Sequence, residues 1–551
     1  MSKEPKSHSV AEDIVRTLEA RGVKYIFGVP GEEIEELLFA ISKSRIQFIA
    51  TRHEQGAAFM ADVWGRLTGK AGVCVATLGP GATNLLTGLA DAGLDKSPVL
   101  AITGQADTKR HHNDSHQYIH TENIFKPISK WNTTIVSPRN IGYITAKALL
   151  IAEDEKPGIT HIDLPEDIAE MHSKGEFAKT ERIKKVSSLK ETDIKKALKL
   201  LKNAKYPLIF SGNGVVRKNG HKILGKIALK FNIPVVTTFM GKGAISDDFS
   251  LSLKTIGLKA RDLQMQAFEK TDLVIAVGVD HGEYSPNNWA KNKRIIHIDY
   301  EKVAHYPLYK PQVSLIGDIE KSLNTLFLSM KKQSKFESWY MPLREMIEEE
   351  HSKDAEGITL TVPFLLQKLK EAMRPEDIII SDVGAHKMWI GRNFKCLKPN
   401  TCIISNNFAS MGIALPGGIG AKLAKPNVRV VSVMGDGGFL MNSQEIETAK
   451  RIGVPYVIVV LNDNDYGLIN WKQTAARGKS FGTRLSNPNF VKYAESFGIK
   501  AYKIRKREEA FNVFKKAIDS NTLCLVTIDI DASANLKLTS RMKDFKNIFN
   551  P

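Results

Sequence analysis

Val430-Val-Ser-Val-Met-Gly-Asp-Gly-Gly-Phe439 is a mostly apolar run that ends abruptly in glycine and aspartate. Its β-branched content and length predict a strand buried on both faces, and the turn Gly435-Asp436-Gly437-Gly438 hands the chain to a helix expected from about Asn442. Glycines let main-chain amides approach an anion closely. A carboxylate at the strand's C-terminal edge, Asp436, can hold a hard cation, a pairing that suits a metal-bridged diphosphate. Taken alone, such a turn is also an ordinary strand-to-helix connection. A second apolar strand ends 27 residues later at Leu461-Asn-Asp-Asn-Asp-Tyr-Gly467. Strands of one parallel sheet end at the same edge, so Asp463 can meet Asp436 around one ion, with a nearby main-chain carbonyl. Two carboxylates and a carbonyl leave room for the phosphate and water oxygens that octahedral Mg²⁺ prefers.

Outward from this stretch the same alternation of strand and helix recurs. Upstream of it Ile378 to Ser381 reads as a strand, and downstream Tyr456 to Leu461 and Leu523 to Asp529. A first block reads as helix Ala11 to Arg21, strand Tyr25 to Val29, helix Glu32 to Ser42 and strand Gln47 to Thr51. It continues with strand Gly72 to Thr77, helix Thr83 to Ala92, and strands Val99 to Thr103 and Thr160 to Leu164. A middle block has strands Pro207 to Ser211, Pro234 to Thr238, Leu273 to Val277 and Arg294 to Ile298, and its sheet reads as smaller. The charged, weakly periodic runs Lys174 to Lys190 and Lys331 to Gly357 read as separators. The fold class is therefore α/β, with three doubly wound parallel-sheet domains over residues 1–173, 190–330 and 358–535.

The 551 residues, at ~150 per domain, exclude a single small module. Apolar residues at 42% and charged residues at 25% exclude disorder, collagen and coiled coil as readings of the whole chain. The net charge of +18 admits nucleic-acid affinity, anionic substrates or a basic proteome. Lysines such as Lys195, Lys196, Lys199 and Lys202 are spaced as solvated helix faces and no nucleic-acid motif accompanies them, so no nucleic-acid partner is expected. Cys74, Cys396, Cys402 and Cys524 lack metal-site or disulfide-framework spacing and fit a reducing compartment. No stretch approaches the roughly 18 apolar residues that span a bilayer, and the expected localisation is cytoplasmic.

With the two acidic turns in hand, the chain resembles, over nearly its full length, the thiamine-diphosphate-dependent enzymes of the acetolactate synthase and pyruvate oxidase type. The resemblance implies that Asp436, Asp463 and the main-chain carbonyl of Asp465 hold Mg²⁺; many members have asparagine where Asp463 stands. Gly435, Gly437 and Gly438 would then cradle the diphosphate. In Thr51-Arg-His-Glu-Gln-Gly-Ala-Ala-Phe-Met60 a glutamate at a strand-to-helix joint is by itself explained by the helix dipole. The resemblance makes Glu54 the group that hydrogen-bonds N1′ of the aminopyrimidine and so promotes removal of the thiazolium C2 proton. Ser410-Met-Gly-Ile-Ala-Leu-Pro416, with Ala409 before it, resembles the segment whose bulky residue, here Met411, wedges the cofactor into a bent shape. Val383-Gly-Ala-His-Lys-Met-Trp389 resembles a diphosphate-contacting loop and implies a phosphate contact for His386, although Ala385 replaces the common glutamine. Leu78-Gly-Pro-Gly-Ala-Thr-Asn-Leu85 brings Gly81 and Asn84 to the pyrimidine side. Phe27-Gly-Val-Pro-Gly31 places Val29 near the reacting centre, and the segment of His116 implies that Gln117 reaches it.

The family chemistry begins with a 2-keto acid, usually pyruvate. The expected reaction is decarboxylation and carboligation to a second 2-keto acid, giving 2-acetolactate. Alternatives are a non-ligating decarboxylase, a pyruvate oxidase-like enzyme, or an inactive homologue with a binding role. Flavin-bearing synthases carry signatures in the middle block that Gly257-Leu-Lys-Ala260 and Val279-Asp-His-Gly-Glu-Tyr-Ser-Pro-Asn-Asn-Trp289 lack, which argues against FAD. Glu33 and Trp471-Lys-Gln473 mix features of catabolic and biosynthetic members. Trp471 to Gln473 read either as part of a cover over the acceptor or as a surface helix. The resemblance also implies a homodimer or homotetramer with active sites at the dimer interface, and is compatible with a regulatory subunit.

Overall fold

The computed structural model describes residues 8–173, 189–257, 262–302, 306–330, 334–539 and 544–549. The separator Lys174 to Lys190, up to residue 188, lies outside the described residues, as do Lys331, Lys332, and Gly257-Leu-Lys-Ala260 beyond its glycine. The described residues contain a two-stranded antiparallel pair of His8–Ser9 with His172–Ser173, and three sheets of six strands each, all with parallel neighbours. The first runs, edge to edge, Gln47–Ala50, Tyr25–Gly28, Gly72–Ala76, Val99–Gln105, Ile159–Pro165, Trp131–Thr134. The third runs Cys402–Ile404, Ile378–Ser381, Val430–Gly435, Val457–Asn462, Cys524–Asp529, Lys500–Ile504. Numbered along the chain, both have the order 2-1-3-4-6-5. The middle sheet, Ser252–Ile256, Val235–Thr238, Pro207–Ser211, Leu273–Val277, Arg294–Asp299, Val313–Ile316, has the order 3-2-1-4-5-6. It has as many strands as its neighbours, so the expectation of a smaller middle sheet is corrected.

The strands missing from the sequence reading, Trp131–Thr134, Ser252–Ile256, Val313–Ile316, Cys402–Ile404 and Lys500–Ile504, all lie at sheet edges. Edge strands are short and often polar on one face, so Trp131–Thr134 is nowhere fully buried and Lys500–Ile504 carries two lysines. Central strands such as Val430–Gly435 are buried along their length and announce themselves as apolar runs. Two further corrections concern helices. The run Lys331 to Gly357 contains the helix Met341–Asp354, because Leu343 and Ile347 pack into the middle-domain core while Glu345, Glu348, Glu349 and Lys353 face outward. The helix after the glycine turn begins at Asp436 and ends at Asn442, where the sequence reading placed its start.

The chain forms two compact units. In one, the first sheet is joined by residues 407–427 and 440–456. Its centre is the helix Glu54–Thr68, buried almost throughout because small residues let other backbones come close. A Cβ at Gly72 would lie 2.1 Å from the Ala61 carbonyl oxygen, one at Gly88 2.6 Å from Ala58 Cβ, and one at Gly420 2.4 Å from the Met60 carbonyl oxygen. Arg66 on this helix neutralises three buried carboxylates, Asp62, Asp91 and Asp95, at 3.2, 3.7 and 2.7 Å. The other unit holds the middle and third sheets. Within it, Arg392 pairs with buried Asp262, and Asp247 accepts from the Cys396 amide at 2.8 Å. All four cysteines are buried and free. Among the described residues no helix is long and apolar enough to cross a membrane.

Candidate active site

In an open parallel sheet, ligands bind beyond the C-terminal strand ends where the strand order reverses. In the third sheet that point lies between Ile378–Ser381 and Val430–Gly435. The first of these strands leads into the helix Ala385–Asn393, whose first turn carries His386, and the second ends at Gly435 and passes directly into the helix that opens with Asp436-Gly437-Gly438. The two segments touch: a Cβ at Gly438 would be 2.8 Å from Asp382 Oδ1, and one at Gly435 3.6 Å from the His386 ring. A Cβ at Gly437 would lie 2.9 Å from the Tyr466 ring. Gly437 and Gly438 thus stand where a side chain would clash, while Gly435 lies within ordinary contact distance of the His386 ring. Burial lowers the His386 ring to a pKa of about 4, so it is neutral at neutral pH, and its Nε2 is buried without a partner. An N–H at that nitrogen is a donor suited to a phosphate oxygen.

The next strand, Val457–Asn462, brings in the second acidic turn. Burial first, then the charges of Asp436 and Asp465, push the Asp463 carboxyl up to about 7. Burial likewise raises Asp436. Like charges held this close favour a cation among them. Asp463 Oδ2 lies 2.4 Å from where a Cβ at Gly467 would be, which explains the glycine there. Asp436 Oδ1 accepts from the Gly437 amide at 3.0 Å, and its Oδ2 from the Asn487 side chain at 2.5 Å. The same Asn487 nitrogen lies 2.9 Å from Asn462 Oδ1 and 3.0 Å from Asn464 Oδ1. Three oxygens surround one amide nitrogen that has two protons to give. The Asp465 side chain accepts from Asn470 at 2.5 Å through Oδ2, and its Oδ1 is buried without a partner. The turn is fastened by an antiparallel bridge from Asp465 to Arg484, flanked by the Tyr466 amide to Thr483 oxygen and the Leu485 amide to Asn464 oxygen, at 2.9 and 2.8 Å. Asn487 and Thr483 to Leu485 escaped the sequence reading, since Asn487-Pro-Asn489 reads as an ordinary turn. Trp471 lies in the helix Gly467–Arg477 and packs into the domain core, with Lys472 exposed beside it. Among the described residues no three His, Cys, Asp or Glu side chains form a metal cluster by themselves; the cation set read from the sequence has two carboxylates and a main-chain carbonyl.

The other unit assembles the remaining residues. Glu54 is the first residue of its helix, and His53 caps it, with Nδ1 accepting from the Gln55 amide at 3.1 Å. Glu54 is buried, and its Oε2 accepts from Asn84 Nδ2 at 2.9 Å. Gly81, one turn earlier on the helix Pro80–Leu94, leaves its Cα face toward Glu54, whose Oε1 would be 3.4 Å from a Cβ there. Gly79 enters this helix at φ +53°, under the Gln117 main chain, whose oxygen would meet a Cβ at 2.8 Å. Gln117 therefore reaches this loop through its backbone; its side chain is exposed. Val29 is half-buried at the end of Tyr25–Gly28, beside Gly31, which packs on Thr77; Thr77 donates to Glu33. Met411 is half-buried in a stretch pinned on both sides. Asn407 and Ser410 amides donate to Asp95 and Asp91 at 2.8 and 3.3 Å, Ala409 adopts φ +61°, and Asn442 donates to the Gly412 oxygen at 2.9 Å.

Residues 8–124 match the thiamine pyrophosphate enzyme N-terminal TPP binding domain, residues 194–326 the central domain, and residues 382–528 the C-terminal TPP binding domain. The chain is 34% identical to a probable acetolactate synthase large subunit of Methanococcus aeolicus, over 98% of this chain and 95% of that one. It belongs to the thiamine pyrophosphate enzyme family, acetolactate synthase large-subunit type. The probable large subunit of Methanocaldococcus jannaschii is 35% identical over 98% and 95% of the two chains, and the acetolactate synthase of Bacillus subtilis 31% over 98% and 96%. As a member of this family the protein is an enzyme with carboligase chemistry, and thiamine diphosphate is its cofactor. Gly437 and Gly438, the unpartnered His386 nitrogen and the crowded carboxylates fit the diphosphate end of that cofactor.

Proposed function

We propose that the protein decarboxylates pyruvate and joins the two-carbon unit to a second 2-keto acid, giving 2-acetolactate. The observation that carries this reading is that one family-matched chain holds both crowded Asp436 and Asp463 beside Gly437 and Gly438, and a buried Glu54 held by Asn84. Bound thiamine diphosphate supplies the carbanion chemistry that the protein's side chains lack. Asp436, Asp463 and the Asp465 carbonyl would hold Mg²⁺ against the diphosphate, with Gly435, Gly437, Gly438 and His386 donating to its oxygens. Glu54 would hold a proton at N1′ of the aminopyrimidine, and Asn84 keeps that carboxyl in one rotamer. Ala409 and Met411 would support the bend of the cofactor, while Val29 and Gln117 would flank the substrate. The family resemblance supports a homodimer or homotetramer in which Glu54 of one protomer serves the metal turn of its partner. Several relatives are named large subunits, which supports a smaller, regulatory subunit as a partner here. Four buried free thiols support a cytoplasmic setting.

The flavin-free reading has its own support. The middle sheet reverses between Pro207–Ser211 and Leu273–Val277. At that point Glu283 is buried, with its carboxylate accepting from the Asn213 amide at 3.0 Å and from the Thr238 hydroxyl. A Cβ at Gly212 would lie 2.3 Å from the Gly278 oxygen. An acidic group thus takes the amide that a dinucleotide phosphate would need. Incubation of the purified protein with thiamine diphosphate, Mg²⁺ and pyruvate, with and without FAD, followed by separation of acetolactate, acetaldehyde and acetate, tests both readings. Acetolactate formed at the same rate in both arms is expected. Acetaldehyde alone would make the protein a decarboxylase, and acetate dependent on FAD an oxidase.

A further inference from the structure

Glu445 begins the helix Glu445–Arg451, is fully buried, and belongs to the same compact unit as Glu54. Its Oε1 accepts from two consecutive main-chain amides, Arg52 at 3.0 Å and His53 at 3.1 Å. Those are the two residues immediately before Glu54, at a joint where the strand Gln47–Ala50 has ended and the helix has not yet begun. Neither amide donates within a ladder or a helix, so this carboxylate is what satisfies them. The Thr448 hydroxyl donates to Oε2 at 2.6 Å and fixes the carboxyl from the other side. Gly56 completes the arrangement, since a Cβ there would lie 2.7 Å from Glu445 Oε1. From the same helix Arg451 donates to the Ala50 carbonyl, binding the strand end as well.

We infer that Glu445 is a positioning residue: by gripping the Arg52 and His53 amides it sets the direction in which Glu54 leaves the strand-to-helix joint. The inference rests on the proposed role of Glu54 and adds the group that orients it. Burial, the largest cause, pushes the Glu445 carboxyl up to about 7, so the protein tolerates a costly buried acid at this joint. That cost has a structural return, because one oxygen satisfies two amides that have no other acceptor. A misplacement of about 1 Å at a reacting group costs roughly 10²-fold in rate, which sets the scale expected here.

Two readouts test the inference. The first needs no cofactor: in the apo-protein, hydrogen exchange of the Arg52 and His53 amides should accelerate in Glu445→Ala and in Gly56→Ala, which displaces the carboxylate without deleting it. The second is hydrogen–deuterium exchange at C2 of bound thiamine diphosphate. It should slow roughly 10²-fold in Glu445→Ala, recover largely in Glu445→Gln, which keeps an acceptor in place, and show no further loss when Glu445→Ala is added to Glu54→Gln. Should Glu445→Ala fail to fold, Gly56→Ala and Thr448→Val carry the same comparison. Unchanged amide protection, or a loss in the double variant equal to that in the wild-type background, overturns the positioning role. An unimpaired Glu54→Gln instead overturns the role of Glu54 on which it rests.

Discussion

The bond from Asn84 Nδ2 to Glu54 Oε2, at 2.9 Å, joins a helix start to the first turns of a second helix. Substituting Glu54 by Gln leaves the diphosphate and cation residues untouched, so cofactor affinity should hold while C2 exchange slows by roughly 10²–10⁴, the contribution of a lost acid–base group. Exchange at the wild-type rate would remove Glu54 from the chemistry. Glu445 supports a prediction about stability. Its carboxyl titrates at about 7 in the fold and at its ordinary value near 4.5 when unfolded. Above pH 4.5 the unfolded chain therefore loses this proton first, and the fold weakens by about 1.4 kcal/mol per pH unit until the folded carboxyl itself ionises near 7. Melting temperatures of the wild type and of Glu445→Gln should diverge across that window in favour of the variant, and a constant gap contradicts this. Asp436 and Asp463 were legible in the sequence because each follows an apolar strand directly, whereas Glu54, separated from its strand by three residues, was legible only through the family resemblance. Asn487 and Glu445 were not, because an asparagine beside proline and an acid opening a short helix look like surface residues until their partners are known.

At the scale of elements, legibility followed burial. Strands covered on both faces, such as Val430–Gly435 and Leu273–Val277, are continuous apolar runs, whereas the edge strands Trp131–Thr134, Val313–Ile316 and Lys500–Ile504 are partly exposed and the buried edge strands Ser252–Ile256 and Cys402–Ile404 are short or interrupted by polar residues. The helix Met341–Asp354 was hidden by its charges, with only Leu343 and Ile347 fully inside among its apolar residues. The packing of the helix Glu54–Thr68 was not readable at all, because the glycines that admit it lie at positions 72, 88 and 420. Gly420→Ala tests that packing. Its Cβ would stand 2.4 Å from the Met60 main-chain oxygen, which cannot swing aside like a side chain. A loss of about 1–3 kcal/mol, as for overpacking a filled core, should appear as a lower unfolding midpoint in denaturant with an unchanged slope. An unchanged midpoint would show that the two helices can part at no cost.

At the scale of the molecule, one strand order, 2-1-3-4-6-5, serves the first and third sheets, and each presents its candidate site residues around its own reversal point. The middle sheet has the order of dinucleotide-binding folds, and Glu283 stands at its reversal point. The purified enzyme should therefore show no flavin absorbance, and Glu283→Gln should not by itself create a flavin requirement; a stoichiometric flavin contradicts the reading. The central claim is that a carboxylate from one protomer and a cation-binding turn from its partner act on one cofactor. The most direct measurement is co-expression of two inactive variants, Glu54→Gln and Asp436→Asn. In a hetero-oligomer one site would collect both defects and the other neither, so acetolactate formation should return although each variant alone is inactive. Hetero-oligomers that form and stay inactive would contradict the account.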